Sequence, residues 1–295
     1  MTVLDVIQSG TSFLARKGVD SPRLQVELLL AHALKLPRLR LYLNFERTLS
    51  ELELQTIRPL LKRRAAREPL QQIVGSSSFC GLEIAVNSNV LIPRPETELL
   101  AERGWRFLNC QSSDARVSAL DLGTGSGCIA IALAVQSPSA QIDATDISGP
   151  ALVTARENAK WHRVLDRIHF REGNGFSMLP PGRMFDLIVS NPPYVASHEI
   201  ASLQPEVRDH DPRLALDGGP EGLDFYELMA AEAGAFLKPC GRLMAEIGDD
   251  QSIRVCELFR QHNWIVEAVE RDYTGRERIL VAAVGRSLNG AGSNQ

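Results

Sequence analysis

Beyond residue 116, short apolar runs of β character alternate with segments of helical periodicity. Strand-like runs fall at 117–122, 141–146, 168–171, 185–191, 242–247, 265–270 and 278–284, with helical stretches opening at Gly127, Pro150, Gly222 and Asp250. Parallel strands can be joined only by long crossovers and are buried on both faces, so this alternation predicts a mostly parallel sheet covered by helices on either side. Seven such runs predict a doubly wound, Rossmann-like α/β domain over residues 93–286. The N-terminal part follows a different rhythm. Val3, Val6, Ile7, Phe13 and Leu14 recur at helical spacing up to Gly18. Ser21-Pro22 then opens a second stripe, Leu24, Leu28, Ala31 and Leu34, which Pro37 stops. Ser50 and Glu53 form a capping box ahead of Leu54, Ile57 and Leu61. These features predict a small helical bundle over residues 1–74. Between the two, residues 75–92 read as two short strands about a turn, a β-hairpin linker, and 287–295 read as a disordered tail.

Composition excludes several classes. With 295 residues, 44% of them hydrophobic, the chain has enough apolar material for a substantial core, and its longest wholly apolar run, 128–135, is far shorter than the ~20 residues of a membrane span. No basic stretch followed by an apolar one opens the chain, and the five cysteines are scattered with no Cys-x-x-Cys pair. A reducing cytoplasm is expected, with neither a disulfide framework nor a metal site. His198, Asp209, His210 and Asp211 match no zinc spacing and suit a solvated loop. The net charge of −4 conceals an asymmetry: residues 1–75 hold 12 Lys and Arg against 7 Asp and Glu, net +5, and the remainder holds 20 against 29, net −9. A basic N-terminal part suits an acidic protein surface or RNA, and equally a plain solvated helical face; the acidic remainder is poorly suited to gripping a duplex.

Two loops carry chemistry. Ala119-Leu-Asp-Leu-Gly-Thr-Gly-Ser-Gly-Cys128 runs a strand into a glycine loop (Gly123, Thr124, Gly125, Ser126, Gly127) and then a helix, and Asp146 ends the next strand, where it can accept hydrogen bonds from ribose hydroxyls. This describes an adenosine-type site. The spacing Gly-x-Gly-x-Gly departs from the dinucleotide fingerprint and argues against NAD. Asp186-Leu-Ile-Val-Ser-Asn-Pro-Pro-Tyr194 runs a second apolar strand to the same sheet edge. Two prolines stiffen that loop, and the Asn191 side-chain carbonyl and the Pro192 backbone carbonyl can accept the two hydrogens of a planar amide –NH2, with Tyr194 available to stack on the conjugated plane. Orientation by such a clamp suits methyl transfer to an amide or aromatic amine, whose lone pair is delocalised. The loop holds no carboxylate, His or Lys that could act as a base, so a pH profile flat near neutrality, with no general-base limb, is expected, and Asn191→Asp is expected to keep more activity than Asn191→Ala.

Taken with Glu68-Pro-Leu-Gln71, Leu91-Ile-Pro-Arg-Pro-Glu-Thr-Glu98, Asp217-Gly-Gly-Pro-Glu-Gly-Leu223 and Glu246-Ile-Gly248, these motifs resemble the release factor glutamine N5-methyltransferases, the HemK/PrmC family, within the class I S-adenosylmethionine-dependent methyltransferases. The resemblance runs from about Glu68 to Arg278. It implies a seven-stranded class I methyltransferase domain, S-adenosylmethionine as cofactor, and the glutamine of the Gly-Gly-Gln loop of class 1 peptide chain release factors as acceptor. It further implies that the helical domain helps dock that protein. Carried over by position, Gly123 to Gly127 would line the methionine part of the cofactor, Asp146 would hold the ribose, and Asn174, Gly175 and Phe176 would edge the adenine. The family more often has an acidic residue followed by an aromatic there, and Phe176 stands in for that ring one position on. Asn191, Pro192, Pro193 and Tyr194 would bind the acceptor, with Asn191, Pro192 and Tyr194 carrying catalysis and Asn191 also touching the cofactor. Arg94 to Glu98 would form an active-site wall. A monomer with no membrane partner and no direct DNA contact is expected.

Overall fold

A computed structural model describes residues 1–111 and 117–285; the tail at 287–295 lies outside the described residues. Backbone contacts divide the chain into a helical unit and a sheet unit.

The helical unit contains α1 (Val3–Ala15), α2 (Pro22–Leu34), α3 (Arg38–Tyr42), α4 (Glu51–Ala65) and α5 (Leu70–Val74). Capping boxes at Thr2 with Asp5 and at Ser50 with Glu53 satisfy the first free amides of α1 and α4. The buried faces of α1, α2 and α4 meet in one core that includes Val6, Ile7, Leu14, Val26, Leu30 and Ile57. The boundaries read from sequence need one correction. Residues 202–211, including the short helix α9 (Pro205–Arg208) and falling inside the stretch assigned to 93–286, belong to the helical unit. The reason is electrostatic: Arg64 Nη2 lies 2.8 Å and Arg67 Nη2 2.6 Å from the Glu206 carboxylate. Burial opposes its ionisation, but these two guanidiniums hold Glu206 down to about 2.

The sheet unit takes up the hairpin β1 (Ser76–Phe79) and β2 (Leu82–Ala85), apart from the first residue of β1. Its turn places Cys80 at φ 50° and Gly81 at φ 76°, the two positive values that a type I′ turn requires. The strands that follow are β3 (Ser118–Leu122), β4 (Gln141–Asp146), β5 (Ile168–Glu172), β6 (Phe185–Ser190), β7 (Leu237–Glu246), β8 (Trp264–Arg271) and β9 (Glu277–Val284). They form one seven-stranded sheet in the order β5-β4-β3-β6-β7-β9-β8, parallel from β5 to β7 and antiparallel through β9 and β8. The helices of this unit are α6 (Pro95–Asn109), α7 (Cys128–Gln136), α8 (Gly149–Trp161), α10 (Asp224–Glu232) and α11 (Ser252–Gln261). Every residue of β3 is buried, as expected of a central parallel strand. Strand β7 starts five residues earlier than the apolar run at 242 suggested, because Leu237 already pairs with Phe185 of β6. The strand order reverses between β3 and β6. The carboxyl ends of those two strands therefore open the crevice in which doubly wound sheets bind ligands.

Candidate active site

The glycine loop follows β3 directly. Gly123, Gly125 and Gly127 all have positive φ, 75°, 55° and 82°, a conformation that L side chains rarely adopt. Space adds a second reason at Gly127, where a Cβ would come within 3.0 Å of the Ala155 side chain. Behind the loop, Asp121 Oδ2 accepts from Thr124 Oγ1 at 2.6 Å and from the Ala130 amide at 3.0 Å. Asp121 is fully buried, its Oδ1 has no hydrogen-bond partner among the described residues, and burial pushes its carboxyl up to about 7. At the end of β4, Asp146 accepts from the Gly125 amide through Oδ2 and from the Ser148 amide through Oδ1, both at 2.8 Å. Burial raises its carboxyl above the ordinary range while these amides pull it back.

The Asn191-Pro192-Pro193-Tyr194 loop leaves β6 beside this one, and Ser190 Oγ donates to the Leu122 carbonyl at 2.7 Å. The motif at 217–223 holds it in shape. A Cβ at Gly218 would stand 2.7 Å from the Pro193 carbonyl oxygen, and one at Gly222 would stand 2.4 Å from that of Tyr194, so neither position has room for a side chain. Gln251 Nε2 donates to the Tyr194 carbonyl at 2.9 Å and its Oε1 accepts from the Gly248 amide at 3.1 Å, which ties in the third motif. The main-chain carbonyls of Asn191 and Pro192 accept no hydrogen bond among the described residues.

The Asn191 side chain is held from behind. Its Nδ2 donates to Thr97 Oγ1 at 3.0 Å, and Thr97 Oγ1 donates to Glu246 Oε2 at 2.6 Å. Tyr194 Oη donates to Glu246 Oε1 at 3.3 Å. Burial pushes the Glu246 carboxyl up to about 7, against the bond from Thr97 and the charge of Arg278, with Glu96 pushing the same way. Burial also raises the Tyr194 hydroxyl well above its ordinary value.

A cleft of about 790 Å³ open to solvent joins these parts, lined by Gly123, Gly125, Asp146, Gly175, Asn191 and Pro193 among others. The remaining residues singled out from sequence stand elsewhere. Thr124 and Ser126 are buried under the loop, Gly127 caps α7, and Pro192 is buried. Phe176 requires correction. Its ring is in the core, stacked on Phe236 at 5.1 Å, and does not reach the cleft as an adenine-edging ring would. Its aromatic neighbours offer more burial than an open crevice does. In the stretch from Arg94 to Glu98, Thr97 is buried against Asn191, and Glu98 Oε1 accepts from the Cys80 amide at 2.9 Å, anchoring the hairpin turn. Sequence reasoning placed Thr97 only within the Arg94 to Glu98 wall and gave Asp121 and Glu246 no individual role. The signal for Glu246 was available: an acid that ends an apolar strand at the ligand edge, the pattern that singled out Asp146.

The parallel core, its antiparallel β7-β9-β8 edge and the two loops at the switch point define a methyltransferase. Residues 104–208 match the methyltransferase small domain and residues 5–75 match the PrmC N-terminal domain. A methyltransferase of Pyrococcus furiosus aligns with 79% of this chain and 98% of its own at a TM-score of 0.51 and 19% identity, a likeness of fold. The release factor glutamine methyltransferase of Geobacter sulfurreducens is 43% identical over 96% of this chain and 97% of its own length, and that of Chlorobaculum tepidum 42% over 95% and 96%. The chain belongs to the release factor glutamine methyltransferase family.

Proposed function

We propose that this chain transfers the methyl group of S-adenosylmethionine to the side-chain amide nitrogen (N5) of the glutamine in the Gly-Gly-Gln motif of class 1 peptide chain release factors, supporting translation termination in the cytoplasm. The observation that carries the reading is the placement of Asn191, with its Nδ2 committed to Thr97 and its Oδ1 accepting no hydrogen bond among the described residues, in the same cleft as the glycine loop and Asp146.

The cleft suits the cofactor. A Cβ built at Gly125 meets nothing within 4 Å, so the loop backbone borders open space in which a ligand can approach. Gly123, Gly125 and Gly175 would lie against the cofactor, and the remaining lone pairs of the Asp146 carboxylate would accept from its ribose. Thr124, Ser126 and Gly127 act by shaping the loop. S-adenosylmethionine, when bound, supplies a methyl group on a positively charged sulfur.

The protein's own part is orientation. Asn191 Oδ1 and the Pro192 carbonyl accept the two hydrogens of the glutamine amide, which fixes the plane of its nitrogen; Pro193 keeps the loop rigid and Tyr194 walls the site. The amide nitrogen needs no base before attack, and its surplus proton leaves to solvent afterwards. The helical unit, with its basic surplus, docks the release factor, and the enzyme acts as a monomer without DNA or membrane contacts. Incubation with labelled S-adenosylmethionine and a release factor, followed by mass spectrometric mapping, tests the reading. Label on the glutamine amide of Gly-Gly-Gln is expected. Label on another residue, or on a ribosomal protein in preference, would overturn it.

A further inference from the structure

Asn191 can work as an acceptor only if its amide is held one way round. The terminal torsion of Asn is broad and roughly two-fold, so rotamer preference alone does not choose between Oδ1 and Nδ2 facing the cleft. Reversed, the side chain would present its own –NH2 to the acceptor's –NH2, donor against donor. The choice is made behind the loop, by residues from two other elements.

Thr97, third residue of α6, has a single hydroxyl hydrogen, and Glu246 at the end of β7 takes it at 2.6 Å. What Thr97 then offers Asn191 is a lone pair, so the atom facing it at 3.0 Å must be a donor, Nδ2. Thr97 and Glu246 are 2% and 1% exposed, so water does not compete for these bonds. Glu246 is itself fixed: its backbone carbonyl accepts from Tyr226 Oη at 2.9 Å and its Oε1 accepts from Tyr194 Oη. One carboxylate thus holds both the amide and the ring of the Asn191 to Tyr194 loop. We propose that Thr97 and Glu246 are positioning residues for methyl transfer, a hydrogen-bond relay that sets which end of the Asn191 amide meets the acceptor. The proposal rests on the clamp reading of Asn191.

The relay has a direction, and protonation of Glu246 can reverse it. A carboxyl hydroxyl at Oε2 would donate to Thr97, whose own hydrogen would then turn to Asn191 and draw Oδ1 toward it. The groups facing this carboxyl are Glu96 of α6, Tyr194 of the loop, Tyr226 of α10 and Arg278 of β9. Glu96 and burial favour the proton, Arg278 and the hydroxyl donors oppose it, and the carboxyl sits at about 7. Activity therefore falls as pH drops through about 7, in place of the flat profile expected from the loop alone, although no base takes part in the reaction.

The test compares Thr97→Val, Thr97→Ser, Glu246→Gln and Asn191→Ala with the wild type in single-turnover methylation of a release factor from pH 6 to 9. Calorimetry with S-adenosylmethionine and the side-chain amide NMR signal of Asn191 are followed alongside. Thr97→Val should lower the rate by about 10- to 100-fold with cofactor affinity changed less than about 3-fold, and should shift the Asn191 signal; Thr97→Ser should restore both. Glu246→Gln should remain active and lose the acid limb, whereas a general base changed to Gln would lose activity at every pH. If Thr97→Val does not fold, as a lost cofactor isotherm would reveal, the Thr97→Ser and Glu246→Gln profiles decide. A Thr97→Val rate within about 3-fold of wild type, or an acid limb that persists in Glu246→Gln, overturns the relay. Asn191→Ala separates the two ideas: if it alone is slow the clamp stands without the relay, and if it is fast the clamp itself fails.

Discussion

Replacing Asn191 by Asp sets the clamp against the relay. Judged from the loop alone, a carboxylate is a fair substitute, since it also accepts. In the structure, position 191 must donate to Thr97 and accept on its other side, and an ionised carboxylate cannot donate. It would also lie close to Glu246: Nδ2 is 3.0 Å from Thr97 Oγ1, which is 2.6 Å from Oε2. Two charges under about 6 Å apart at an effective dielectric near 20 repel by about 3 kcal/mol, or about 2 pKa units. Added to a Glu246 carboxyl already at about 7, this makes the pair hold one shared proton up to about pH 9. With that proton on the substituted side chain, its hydroxyl donates to Thr97 and its carbonyl faces the acceptor, as the amide does. Asn191→Asp should therefore surpass Asn191→Ala at pH 7 and lose activity as pH rises through about 9, the opposite trend to the wild-type loss below about 7. Single-turnover methylation of a release factor between pH 6 and 10 measures both curves. An Asn191→Asp profile parallel to wild type, or no better than Asn191→Ala at any pH, would refute the reasoning.

Asn191→Ala should lower kcat by about 10²–10³, the loss typical of one preorganised polar contact, with cofactor affinity nearly unchanged in calorimetry. Asp146→Ala removes the partner of the Gly125 amide and, with it, the proposed ribose acceptor, and should weaken S-adenosylmethionine binding by about 1–3 kcal/mol; unchanged affinity would dismiss the ribose assignment. Gly222→Ala places a Cβ 2.4 Å from the Tyr194 carbonyl at φ 71°, so methylation should fall while the cofactor still binds, and normal turnover would deny the 217–223 motif its buttressing role. Glu206→Ala strips Arg64, itself buried, of an ion-pair partner while Gln25 and the Glu68 carbonyl still accept from it, and should destabilise by about 1–3 kcal/mol in chemical denaturation. Because the Glu206 carboxyl is held at about 2, below its unfolded value of 4.5, that contribution is present above about pH 4.5 and disappears as pH falls through about 2.

Local signals were strong where one residue suffices to dictate geometry. The capping box at Ser50, the positive-φ glycines at 123, 125 and 127, and the rigid Pro192-Pro193 pair each announce their conformation without reference to distant chain, and the β/α alternation then assigns the glycine and proline loops to one sheet edge. What stayed hidden depends on contacts between residues far apart in sequence. Thr97 lies 94 residues from Asn191 and 149 from Glu246, and nothing in Pro-Glu-Thr-Glu distinguishes a hydroxyl that orients a catalytic amide from one that starts a helix. Glu206 reads as one more surface acid until Arg64 and Arg67, 142 and 139 residues away, are brought to it. Phe176 failed for a related reason: an aromatic beside a ligand loop can face cleft or core, and only Phe236, sixty residues on, decides. The same distinction orders the site chemically. In the proposed reading the atoms that meet substrate come from two short motifs, but Asn191 is useful only one way round, and that choice would be made by a hydroxyl and a carboxylate held behind the loop.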